Sequence, residues 1–249
     1  MKSLINWLTN TLSNLTLPEE AEGWCLGRGL LESRIADIGI KVWDSSLISD
    51  IAPDPEFRSQ HGSKADSWDG RLVTPLYSPR QKLIGVEART YGQGVAKKLS
   101  QYLLPDARWN PVFVGLTKLS MQKIWHGKAN LWITEGVFDM GAMEHVIPET
   151  DVALATLRAR FSDRHASFCQ RFLDPMTQTV NMVYDNDQTG RDQTFGKIIE
   201  ATGKRQWGAL DTLTRVGIKC QDRPYRGGKD PGEIWEKSGT DGLKKAFKL

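Results

Sequence analysis

The stretch "VNMVYDNDQTGRD", residues 180–192, sets a run of apolar and β-branched residues directly before two aspartates, Asp185 and Asp187. Such a run reads as a short buried strand. A strand that leaves a core and ends in paired carboxylates holds something positive. Its neighbours keep the same rhythm. "LWITEG" (131–136) is a short apolar strand before helix-like "VFDMGAMEHVI", and "VALATL" (152–157) precedes helix-like "SDRHASFCQRFL". "VNMVYD" is followed by a helix expected to run through "FGKIIEA", and "VGIKCQD" (216–222) supplies a fourth strand. Strand–helix alternation at this spacing predicts parallel βαβ units.

The first half reads differently. "GLLESRIADIGI" carries apolar residues at helical spacing, which predicts a short helix. "SWDGRLVTPLYSPRQKLIGVEART" (67–90) predicts two strands around a turn, with Pro79 at its first corner. This half is α+β. "MKSLINWLTNTLSNL" is too polar for a signal peptide and predicts an exposed amphipathic helix or arm. The expected division is an arm or helix over 1–22, a basic α+β subdomain over 23–125, and an α/β unit with a C-terminal helical segment over 126–249.

With 249 residues, 39% of them hydrophobic, the chain can bury a sizeable core. No apolar run is long enough to span a membrane. Cys25, Cys169 and Cys220 stand far apart without a CxxC pair, and the four histidines are scattered. No zinc site is therefore expected, and a reducing cytoplasm is the simplest setting. Net charge is only +3, but residues 58–98 hold eight basic against three acidic side chains, and residues 201–249 eleven against six. That clustering is either a solvated face or a footprint for nucleic acid.

In open parallel sheets, functional residues gather beyond the carboxyl ends of the strands. Glu135 ends the first strand and Asp139 lies one helical turn on; Asp185 and Asp187 end the third; Asp230 lies in "GKDPGE" after the fourth, with Glu233 beyond it. Clustered carboxylates repel unless a cation or shared protons compensate. Oxygen donors without His or Cys suit Mg2+ or Mn2+, ions that keep water and bind substrate phosphates. "DNDQTG" resembles the start of a calcium loop, yet the twelfth position is Gly196 and a strand precedes it, against that pattern. Each acid alone could be a helix cap or a surface residue.

"LWITEGVFD", "VYDNDQTGR" and "KDPGE" resemble the EGxxD, DxDxxG and DPxE elements of the Toprim fold, shared by primases, topoisomerases and some nucleases. "RGLLESRIADIGI…WD" and "RLVTPLYSPRQKLIGVEAR" are similar to the N-terminal half of the RNA-polymerase core of DnaG-type primases, bacterial or phage. "KKLSQYLLPDARWNPVFVGL" resembles that family's next, lysine-bearing block. The resemblance covers residues 23–240 in the family's order.

It implies an α/β fold: a Toprim domain, a parallel sheet flanked by helices, preceded by the basic α+β subdomain. It implies a DNA primase making short RNA primers on single-stranded DNA by nucleotidyl transfer. Glu135, Asp139, Asp185, Asp187 and Asp230 would organise two or more Mg2+ or Mn2+ ions. Glu135, Asp185 and Asp187 would be catalytic, Glu135 as ligand or as general acid/base. Arg28, Arg71, Arg89 and Lys97 or Lys98 would face ribonucleoside triphosphate and template. Trp109 and Tyr102 stand near this basic block, as core or as stacking platforms.

Gly232 stands where relatives carry a second acid, for which Glu233 could substitute, and Gln101 sits about where the family has asparagine. A zinc-binding module before the core and a helicase-interaction domain after it are both missing from the pattern. The resemblance then implies a stripped-down enzyme of a phage or mobile element, acting in the host cytoplasm with a replicative helicase or other replisome protein as partner. The alternatives are a Toprim-type nuclease and a non-catalytic nucleic-acid-binding replication subunit. A topoisomerase needs a nucleophilic tyrosine in a recognisable context, which none of the five tyrosines has.

Overall fold

The structure, a computed structural model, describes residues 2–46, 68–92, 94–95, 99–104, 113–126, 128–157 and 161–249. Lys97, Lys98 and Trp109 lie outside these residues, as do the side chains of Gln101 and Tyr102. Helices α1 (Lys2–Asn14), α2 (Glu19–Gly27) and α3 (Glu32–Ile38) lead into strand β1 (Lys41–Val42). Strands β2 (Leu72–Tyr77), β3 (Leu83–Arg89) and β4 (Leu99–Leu103) complete an antiparallel sheet of order β1-β2-β3-β4. The turn between β2 and β3 is the expected one. Gln81 N donates to Ser78 O at 2.8 Å across Pro79 and Arg80, and Gln81 takes a left-handed φ of 59° to restore the ladder. Pro75 sits within β2, opposite Val86.

The second half follows the predicted alternation. After α4 (Lys118–Trp125) come β5 (Leu131–Thr134), α5 (Val137–Glu144), β6 (Val152–Ala155), α6 (Asp163–Phe172) and β7 (Val180–Val183). Next are α7 (Gln188–Phe195), the ribbon β8 (Lys197–Ile199) and β9 (Lys204–Gln206), α8 (Ala209–Arg215), β10 (Cys220–Asp222) and α9 (Pro231–Phe247). Strands β10, β7, β5 and β6 lie in that order and pair in parallel throughout. Alternate residues of a strand face opposite sides of its sheet. Leu131 and Ile133 accordingly join a core with α4, α6 and α8, while Trp132 joins a second core with α2, α3, α5 and α9. The second core also takes Leu72, Leu76 and Ile84 from the antiparallel sheet.

Two expectations are corrected. The helix after the third strand does not continue through "FGKIIEA". Gly196 turns the chain out at φ 80°, and residues 197–199 form β8 instead. The backbone of Gly208 lies so close that a β-carbon on Gly196 would meet Gly208 N at 2.7 Å. The exit therefore needs glycine, and β-branched Ile198 and Ile199 suit the extended chain beyond it. The N-terminal segment is a helix, but its apolar face is covered. Trp7, Leu8 and Leu12 pack with Trp43, Trp68 and Val86 on the antiparallel sheet, and burial of that stripe holds the helix in place.

Arg34 ties the sheets together. It is 7% exposed, and its guanidinium donates to Gly115 O at 2.9 Å, Ala153 O at 3.3 Å and Asp37 Oδ2 at 2.6 Å. It also forms an ion pair with Glu144 at 2.8 Å. One side chain from α3 thus satisfies carbonyls at the edge of the parallel sheet and a carboxylate on α5. Replacing it by an isosteric apolar residue strands those acceptors in the interior. Arg34→Met is expected to lower unfolding free energy by about 3–5 kcal/mol, read as a reduced midpoint in urea denaturation.

Candidate active site

The carboxylates converge where the parallel strands end. Glu135 follows β5, Asp139 lies in the first turn of α5, Asp185 follows β7, and Asp230 caps α9. Glu135, Asp139, Asp185 and Asp230 line one small cavity of about 70 Å³, with Lys229, Glu87 and Arg89. Three of the acids are fixed by backbone amides. Asp230 Oδ1 accepts from Glu233 N at 2.7 Å, and Asp139 Oδ1 accepts from Gly232 N at 3.0 Å. Asp187 caps α7, accepting from Gly190 N at 2.9 Å. Gly190 is obligatory there, because a β-carbon would fall 1.9 Å from Asp185 O. The DxDxxG spacing thus closes a tight turn that presents both aspartates.

Crowding sets the protonation. Burial, with the neighbouring charges of Asp230 and Asp185, pushes Asp139 up to about 8. Asp185 is raised too, by burial and by Asp230, against the pull of Lys229. Asp187 stands at the rim with its side chain 39% exposed, and its amide hydrogen bond from Gly190 lowers it. The Lys229 ammonium lies 3.4 Å from both Asp185 Oδ2 and Asp187 Oδ2. A cation of this protein therefore already occupies the gap between two of the acids. Tyr225 Oη braces that loop, 2.8 Å from Lys229 O and 3.1 Å from Tyr184 O.

Among the described residues, no three Asp, Glu, His or Cys side chains stand close enough together to grip one metal ion in this conformation. The donor set is nevertheless suited to a hard cation. It is all oxygen, burial and then mutual repulsion make Asp139 and Asp185 hold protons, and it already attracts an ammonium. Gly232 bears on this set directly: a β-carbon there would point at Asp139 Oδ1, 3.0 Å away, and at Asp230 Oδ1, 3.4 Å away. Glu233 does not fill that place. Its carboxylate accepts from Lys229 N at 2.6 Å and pairs with Lys237.

The cations come from the other half of the chain. Arg89 ends β3, is 8% exposed and lies 4.2 Å from the centroid of the Phe138 ring, which Arg28 approaches at 5.3 Å. Burial and the nearby Arg28 lower the Arg89 pKa, and Glu87 and Asp139 offset part of that cost. Arg28 is also paired with Glu236 of α9. A cavity of about 500 Å³ lies alongside, lined by Trp24, Arg28, Arg89, Thr90 and Glu236 among others. Arg89 lines both cavities, so the carboxylate pocket adjoins a chamber walled by Arg28, Arg89 and Trp24. Arg71 precedes β2, half-buried, and lines neither cavity.

Lys229 and Glu87 are functional-site residues that sequence reasoning passed over. Glu87 and Arg89 are two apart in an otherwise apolar strand, hence on one face. That pattern was the available signal.

No protein-family model and no curated protein matches the chain. Solved structures do. The zinc-binding and RNA polymerase domains of the Aquifex aeolicus primase superpose with a TM-score of 0.68 at 16% identity, over 98% of this chain and 60% of that one. The DnaG primase catalytic domain bound to single-stranded DNA gives 0.69 at 18% identity, over 99% and 79%. The RNA polymerase domain of Mycobacterium tuberculosis DnaG gives 0.68 at 17%, over 98% and 82%. The chain spans three-fifths of the first of these proteins and about four-fifths of the other two. Its fold is that of the DnaG-type primase catalytic core.

Proposed function

We propose that this chain is a DNA primase core, a DNA-dependent RNA polymerase that builds short primers from ribonucleoside triphosphates on single-stranded DNA. The observation that carries the reading is one site made from two halves: carboxylates at the ends of parallel strands, and Arg28 and Arg89 in a chamber beside them. A site that only hydrolyses phosphodiesters needs no pocket for a nucleoside triphosphate. A polymerase needs one for the triphosphate.

The roles follow from position. Asp139, Asp185, Asp187 and Asp230, with Glu135, would hold Mg2+ or Mn2+ in a Toprim-type arrangement over residues 126–249. Bound there, the ions would supply acidification of the primer hydroxyl and neutralisation of the leaving pyrophosphate. Arg28 and Arg89 orient the triphosphate, with Phe138 fixing the two guanidinium groups. Glu135, at the cavity wall, is placed to take the hydroxyl proton. Lys229 bridges Asp185 and Asp187, two of the acids that would hold the ions. The 23–125 subdomain serves as nucleotide and template platform, with Lys97 or Lys98 in the same role. A replicative helicase or other replisome protein is the partner that would bring the core to its template.

Primer synthesis tests this reading. Purified chain with single-stranded DNA, labelled ribonucleotides and Mg2+ or Mn2+ is expected to yield short RNA, and Asp187→Ala to reduce the yield by about a hundredfold or more. Asp187-dependent cutting of the DNA without RNA synthesis would replace primase with nuclease.

Proton linkage gives a second test. Because the folded Asp139 pKa lies above its unfolded value, its stabilisation is full below about pH 4 and is lost as pH rises through about 8. In EDTA, the melting temperature is expected to fall across that window, and Asp139→Asn to flatten the fall. Mn2+ is expected to raise the melting temperature more at pH 8 than at pH 5, since it competes with those protons.

A further inference from the structure

A second cavity, larger than the carboxylate pocket, lies elsewhere on the protein. A cleft of about 800 Å³ runs between the β2–β3 turn, α1 and α6. Arg80, Lys82, Arg164 and Arg171 line it, no carboxylate does, and none of the four makes an ion pair among the described residues. All four are exposed. Some basic side chains elsewhere on this surface have carboxylate partners, as Arg205 has Asp211 and Lys197 has Asp192. Four cations around one concavity, with no ion-pair partner among the described residues, is an arrangement that self-repulsion opposes and that suits a polyanion.

Aromatic groups adjoin these charges. The Arg171 guanidinium lies 5.4 Å from the ring centroid of Phe172, a half-buried side chain of the cleft wall. Trp125, 58% exposed, lies 6.1 Å beyond Phe172. Cations that track a backbone, set beside accessible ring faces, are what single-stranded nucleic acid uses without regard to sequence.

Strand β3 measures how far this cleft stands from the active site. Leu83, its first residue, lines the cleft, and Arg89, its last, lines the carboxylate cavity. Six residues of extended chain separate the two by about 20 Å. We propose that the cleft between the β2–β3 turn and α6 is a second anchor for the phosphodiester backbone of single-stranded nucleic acid, remote from the catalytic centre. It rests on the primase reading for its purpose: holding template that lies outside the centre. A protein partner with an acidic, amphipathic segment is the competing occupant; the exposed Trp125 ring beside Phe172, and a lining without carboxylates among the described residues, favour nucleic acid.

The test is fluorescence anisotropy with labelled oligo-dT of about 20 nucleotides. Arg164→Glu/Arg171→Glu is expected to bind about tenfold more weakly than the parent chain. The slope of log affinity against log salt is expected to shrink by about 1.4, roughly 0.7 for each lost phosphate contact. Arg164→Lys/Arg171→Lys is expected to keep most of the affinity. Both positions are exposed, so thermal melts should coincide and exclude misfolding. Equal affinity and slope in parent and double-Glu variant would overturn the proposal, as would failure of the parent to bind oligo-dT. The same titration with a labelled peptide of alternating Glu and Leu gives the competing outcome. If that peptide needs the arginines and oligo-dT does not, the cleft is a protein-docking site and the proposal falls. A chain that binds oligo-dT through the cleft yet makes no RNA keeps the cleft and removes the primase reading.

Discussion

Carboxyl groups brought together at neighbouring strand ends cannot all ionise without positive charge among them. That constraint organises the rest of this molecule. Asp139, buried between Asp230 and Asp185, keeps a proton to near pH 8. Lys229 reaches across from the loop before α9 to bridge Asp185 and Asp187. Arg89 is buried at the far end of a strand from the other sheet, beside Glu87, facing the same cavity. Each compensating charge comes from a different part of the chain, so the site exists only when those parts are folded together.

The second core fixes how they meet. Phe138, one residue before Asp139, offers its ring to Arg28 and Arg89 and packs edge-on against Trp24 at 5.0 Å. One turn of chain on α5 thus sets both an acid and the two arginines. On the other side of that helix, His145 stacks on Trp235 of α9 at 3.9 Å and its Nε2 lies 3.0 Å from Gly29 O, next to Arg28. Helices bearing Asp139 and Asp230 are therefore locked to the turn that carries Arg28.

Much of this was legible in the chain itself. Short apolar runs separated by helix-length polar-and-apolar segments specify a parallel sheet, and acids just past three of those runs must fall at one edge of it. The "SPRQK" turn was equally plain, because Pro79 admits few conformations. What stayed hidden depends on contacts between distant segments. The end of α7 is set by the closeness of Gly196 to Gly208, which local propensity does not contain. The covering of α1 depends on Trp43 and Trp68. Arg71 and Arg89 have the same side chain and flank the same hairpin, yet only Arg89 enters the site. Which of two such arginines does so is decided by the packing of the β2–β3 sheet against α5. Glu233 looked like a spare acid in sequence, but its carboxylate is held by Lys229 N and Lys237.

Pro75 has a consequence for the length of its neighbouring strand. Trp43 N donates to Arg71 O, so alternate residues of β2, including Pro75, direct their backbone groups to the β1 side. Strand β1 pairs only with Leu72 and Val73 and has ended by the level of Pro75. An ordinary residue would leave an unpaired N–H there, buried beyond the end of β1. Proline has no such hydrogen, and its ring abuts the Gly39 turn. The sheet's shortest strand can stay two residues long without stranding a buried backbone donor beside it.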